Sequence, residues 1–133
     1  MSVLAAVDSL IVDVITDNMS DTYASKPSFA VSEMANILKA GAKEISGETL
    51  LLPNLGYGLR LRTKIGTKQH TLLFDTGTEG TAFIRNCRNM AIDLGEVEEI
   101  AVTHGHWDHM GALPAALDAI ATRRGRSSVT VNV

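Results

Sequence analysis

The chain has 133 residues, enough for one domain that buries a core without disulfide staples. Apolar residues make up 45% and charged residues 20%, a globular rather than a disordered mix. A net charge of −3 argues against a general nucleic-acid binder, which carries a basic stripe, and leaves a small anionic substrate open.

Residues 1–7 are apolar, but no Lys or Arg precedes them and Asp8 and Asp13 interrupt the run, a poor match to a signal peptide. No stretch reaches the length of a membrane span. A single cysteine, Cys87, cannot form an internal disulfide, so the expected setting is reducing and cytoplasmic. Phe83, Ile84 and Met90 lie at helical spacing from it, so Cys87 reads as a small buried hydrophobe rather than a nucleophile.

In chain order, residues 10–15 (Leu-Ile-Val-Asp-Val-Ile) predict a buried strand ended by the turn pair Asp17-Asn18. Residues 19–28 are polar, contain Pro27 and read as a loop. Residues 29–42 fit a helix with Val31, Met34, Ile37 and Leu38 on one side, closed by Gly41 and Gly47. Residues 57–63 alternate apolar and basic, a strand with one wet face. A turn at 65–68 leads into the strand 71–74, which Asp75-Thr76-Gly77 ends. Residues 79–91 fit a helix with Phe83, Ile84, Cys87, Met90 and Ala91 facing inward. A short strand, 100–103, precedes a helix at 110–122 with Met110, Leu113, Leu117, Ile120 and Ala121 on one stripe. Pro114 lies in its first turn, where a missing N–H costs little, and Arg123, Arg124 and Arg126 stand at its end, where positive charge suits the helix dipole. Residues 128–133 open a further strand. Alternating strands and helices from residue 71 predict an α/β fold, and the 57–74 hairpin makes its sheet mixed.

Three of the four histidines fall within six residues, His104, His106 and His109, with Asp108 among them. If the segment stays extended, His104 and His106 point the same way and converge on one metal. A turn at the adjacent Asp108 and His109 swings both toward a second point nearby. Imidazole and carboxylate donors suit zinc, iron or manganese. Gly105 leaves the backbone between two ligands free of a side chain, and Gly111 lets the helix begin tightly behind the site, with its N-terminus adding positive potential there. Trp107 reads as an aromatic packed beside the site rather than one that stacks on a substrate. His70 lies outside the cluster and reads as a solvated turn histidine.

The pattern His104-Gly-His106-Trp-Asp108-His109 resembles the signature of the metallo-β-lactamase superfamily, whose members fold as an αββα sandwich. The resemblance implies that His104 and His106 bind one metal, that Asp108 and His109 bind a second, and that both ions are zinc, with iron or manganese as alternatives. It also implies that Asp75, after the apolar strand 71–74, orients a ligand histidine; taken alone, Asp75 reads as a turn residue. Asp17-Asn18, residues 54–61, residues 92–94, Trp107 and residues 111–114 further resemble the branch that includes the 7,8-dihydropterin-6-methyl-4-(β-D-ribofuranosyl)-aminobenzene-5′-phosphate synthase-type proteins.

In that family a metal lowers the pKa of a bound water to ~7 for hydrolysis, and Asp108 is a candidate acceptor for the water's proton. The C-terminal half of the family fold supplies a third histidine, a bridging Asp and a last histidine. No histidine follows His109 here, and the only later carboxylate is Asp118. The expectation is a partial domain, residues 1–133, approximating the N-terminal ββα half. It acts on a small-molecule substrate, binds neither nucleic acid nor membrane, and self-associates or pairs with a missing C-terminal half. Two alternatives remain open: iron-dependent redox or sulfur chemistry on the same scaffold, and an inactive half-domain.

Overall fold

Five strands form one sheet in the order β1-β2-β3-β4-β5, and each joins its sequence neighbour. They are β1 (Ser9–Thr16), β2 (Gly58–Ile65), β3 (Lys68–Phe74), β4 (Glu99–Ala101) and β5 (Thr130–Asn132). The computed structural model describes residues 4–21, 23–125 and 128–133. β1, β2 and β3 pair antiparallel; β3, β4 and β5 pair parallel. This is the expected mixed α/β sheet. The β2–β3 hairpin turns at 65–68 as expected: residues 65 and 68 pair, with Gly66 and Thr67 between them.

The parallel steps need crossovers, and helices supply them. α2 (Gly80–Asn89) links β3 to β4, and α4 (Leu113–Arg124) links β4 to β5. Phe83, Cys87, Ala116 and Ile120 from these helices meet Ile15, Leu73 and Ile100 of the sheet in one buried cluster. Burial pushes the Cys87 thiol up to about 12, which keeps it protonated and inert, in keeping with the small-hydrophobe reading. Glu79 caps α2: its carboxylate accepts from the N–H groups of Thr81 and Ala82, and these bonds hold its pKa below the usual range. Ala91 does not face inward as predicted. It is exposed and left-handed, φ 52°, and it ends the helix where a glycine is usual.

Two other helices differ from expectation. α1 is shorter, Glu33–Lys39, starting at Ser32, whose hydroxyl accepts from the Ala35 N–H at 3.4 Å. Only Ile37 of its apolar set is fully buried; Val31 and Leu38 are exposed. The helix predicted at 110–122 is divided into a single turn, α3 (Trp107–Met110), and α4. Pro114 sits in the first turn of α4, as expected. Arg126, expected at its end, lies outside the described residues, as do residues 1–3 of the apolar N-terminal run. Among the described residues no helix is long and apolar enough to cross a membrane.

The two faces of the sheet differ. Asp13 and Arg60 lie on the helical side and form a salt bridge of 2.9 Å with Arg60 buried. The register places Leu10, Val12, Val14, Leu59, Leu61, Leu72 and Phe74 on the opposite face. The first three are about half exposed and the other four are partly buried.

Candidate metal centre

The carboxyl ends of β3 and β4 lie side by side, since Phe74 pairs with Ala101. The segments leaving the two strands therefore meet at one place. Asp75 leaves β3, and its N–H donates to the Ala101 carbonyl at 2.8 Å. Thr103 and the histidine segment leave β4. The 75–77 turn is stitched to that segment: Thr76 N–H donates to the His109 carbonyl at 2.8 Å, and Ala112 N–H donates to the Gly77 carbonyl at 3.0 Å.

Within this frame the predicted residues come together in two pairs. His104 Nε2 lies 3.0 Å from His106 Nδ1. His109 Nε2 lies 3.5 Å from Asp108 Oδ2. The His104 and His109 ring centroids are 4.2 Å apart, so the pairs adjoin. The segment does not stay extended as the spacing suggested: the chain bends over residues 103–105 and His104 and His106 meet across that bend, while the expected turn at Asp108 is present as the start of α3.

Asp75 is far more than a turn residue. It is 2% exposed and left-handed, φ 55°, a conformation that Asp tolerates better than most side chains. Oδ1 accepts the Thr103 N–H at 2.8 Å, Oδ2 accepts the Thr103 hydroxyl at 2.9 Å, and Oδ2 lies 2.8 Å from His109 Nδ1. A ligating histidine almost always has its second ring nitrogen held in this way.

The donor chemistry fits a metal ion: imidazole nitrogens and a carboxylate oxygen face one another in pairs, and with Asp75 holding His109 Nδ1, Nε2 is the nitrogen that faces Asp108. Each pair supplies only two donors. Among the described residues no group of three or more His, Cys, Asp and Glu side chains is arranged to hold one ion. Asp118 is exposed on α4, and His70 is hydrogen-bonded to Glu98 at 2.7 Å near the far end of β3, so neither joins the cluster.

Three further residues shape the site. Gly56, φ 87°, presses against the Asp108 backbone: a Cβ there would come within 1.7 Å of the Asp108 carbonyl oxygen. Thr78 Oγ1 donates to the Leu55 carbonyl and fixes the same loop. Asn86, buried on α2, donates to the carbonyls of Ile15 and Leu52 and accepts the Leu52 N–H, tying that loop to β1. Periodicity misses all three, because each acts across tens of residues of chain. Gly111 is needed as expected: a Cβ would meet the Thr78 carbonyl oxygen at 2.0 Å. Gly105 is not, since a Cβ there would make only an ordinary contact with Met110. Trp107, expected to pack beside the site, is instead 62% exposed at the start of α3.

Together these features define an α/β domain with an imidazole–carboxylate cluster at its parallel strand ends. The chain belongs to the metallo-beta-lactamase superfamily, whose family model matches residues 64–131, just over half of its length. Among solved structures it is similar to a histidine-to-alanine mutant of a flavo di-iron protein from Thermotoga maritima, at 23% identity and a TM-score of 0.39, covering 56% of this chain and 17% of that one. It is also similar to rubredoxin oxygen:oxidoreductase from Desulfovibrio gigas, at 21% identity and a TM-score of 0.37, covering 70% of this chain and 26% of that one. The chain thus spans about a quarter or less of these structures. A comparison with curated proteins gives no match.

Proposed function

We propose that the chain carries the N-terminal donor set of a metal-dependent hydrolase, with His104 and His106 holding one ion and Asp108 and His109 a second. The observation that carries this reading is the convergence of the four side chains in two adjoining pairs behind a buried Asp75. A bound ion supplies Lewis acidity and lowers the pKa of water at the site. In this reading Asp75 orients His109, and Asp108 ligates first and is a candidate acceptor for the water's proton. The substrate is a small molecule. The finer resemblance to the dihydropterin-linked synthase branch rests on Asp17-Asn18, residues 54–61, residues 92–94, Trp107 and residues 111–114, of which Gly56 packs on the Asp108 backbone. The same nitrogen and oxygen donors accept iron, which supports redox chemistry as a second reading. Metal analysis after anaerobic purification separates the two. Zinc in excess is expected, and iron in excess with a reversible optical change on reduction would replace hydrolysis by redox chemistry.

The domain is proposed to be half of a sandwich, pairing with itself or with a second half. The support is the apolar sheet face carrying Leu10, Val12 and Val14, since a half-exposed apolar sheet face favours association. Light scattering is expected to show concentration-dependent association. A monodisperse monomer that turns over substrate through a metal would sink this reading.

A further inference from the structure

Thr103 is the most connected hydroxyl in the centre, yet it is not among the proposed ligands. Its Oγ1 lies 2.9 and 3.1 Å from the two oxygens of Asp75, 3.1 Å from His104 Nδ1 and 3.2 Å from His109 Nδ1. A hydroxyl has one hydrogen to give and two lone pairs. The Asp75 carboxylate is an acceptor only, so the hydrogen goes there. A ring nitrogen near Oγ1 must then be the donor. His109 Nδ1 has the better acceptor in Asp75 Oδ2 at 2.8 Å. The lone pair of Oγ1 is thus left for His104 Nδ1–H, and His104 Nε2 keeps its own lone pair. That nitrogen is the one lying 3.0 Å from His106 Nδ1.

We propose that Thr103 is a positioning residue that carries the hold of Asp75 across to His104, so that one buried carboxylate orients an imidazole of each donor pair. His109 is held directly and His104 through the hydroxyl. Both rings then carry hydrogen on Nδ1 and present Nε2 as the donor. The inference rests on the proposed ligand set for its purpose, but the hydrogen placement it predicts does not depend on a metal.

The test is a long-range proton–nitrogen NMR spectrum of the imidazoles in the full, metal-free chain, at a pH where the rings are neutral. His104 and His109 are both expected as Nδ1–H tautomers. In Thr103→Val the backbone N–H to Asp75 remains but the relay is lost, so His104 should become a mixture while His109 keeps its tautomer. Thr103→Ser should restore the original pattern. Zinc affinity, measured by competition with a chelator, should fall about 10–100-fold in Thr103→Val and recover in Thr103→Ser. An Nε2–H tautomer at His104 in the unaltered protein overturns the proposal even if the valine variant does not fold. So does a His104 signal indifferent to the loss of the hydroxyl. If the tautomers are as expected and no variant or parent binds zinc, the relay stands and the ligand reading fails.

Discussion

Replacing His104 and His106 together by alanine is expected to abolish metal binding at the first donor pair. Among the described residues, the two side chains supply every donor that the cluster offers there. A catalytic zinc site normally has three protein donors, so two should bind only at micromolar concentration or looser. Removing both leaves water alone, a loss of at least about a hundredfold, or roughly 2.8 kcal/mol. His104 and His106 are exposed, so the fold should survive and the circular dichroism spectrum should not change. Asp108 and His109 remain, so zinc stoichiometry by titration should fall from two ions to one. Asp75→Ala should act differently, lowering affinity about 10–100-fold while both pairs stay present. Nanomolar zinc binding that persists in the double variant would place the ligands elsewhere.

Gly56→Ala should be the most damaging single change to the stability of the site. Two costs coincide at this position. The backbone has φ 87°, which L side chains rarely adopt, and the new methyl would lie within 1.7 Å of the Asp108 carbonyl oxygen. That oxygen belongs to the backbone of a proposed ligand, so relief requires the loop or the metal segment to move. Overpacking and backbone strain together suggest about 2–4 kcal/mol. For a chain of this size that lowers the melting temperature by about 10 °C. Gly41→Ala is the control, since φ is 105° there but nothing lies within 4 Å of the added carbon. It should cost about 1 kcal/mol and leave metal binding alone. Equal melting temperatures for the two variants would show that the contact with Asp108 is not what Gly56 is needed for.

The sheet and its two crossover helices were legible because their signals are local. Alternation at 57–63 and the apolar 71–74 give β2 and β3, and Phe83 and Cys87 at helical spacing give α2. The four clustered donors were legible because they are neighbours in sequence. What escaped depends on contacts between distant segments. The length of α1 is set by the Ser32 cap and by how little of it finds a core. Ala91 falls on the helical stripe, yet the chain must reverse there to bury Ile92 and Leu94. The helix after the motif is divided because the Asp108–His109 turn already occupies one helical turn of its own. Thr103 looked like the last residue of a strand, and its bonds to Asp75 span 28 positions of sequence.

The long connection between β1 and β2 has a consequence for the order of folding. β2 and β3 are joined by two residues, and a hairpin of that kind closes in about 1–10 μs. β1 must return across residues 17–57 to pair with β2, and closing that loop costs about 2–3 kcal/mol more entropy than closing the hairpin. By this measure β1 joins β2 after β3 does. It brings Thr16, whose side chain lies where a Cβ on Gly77 would be, and the Ile15 carbonyl that holds Asn86. The turn that presents Asp75 gains this support only when β1 docks, so part of the order of the metal centre is added after the hairpin has formed.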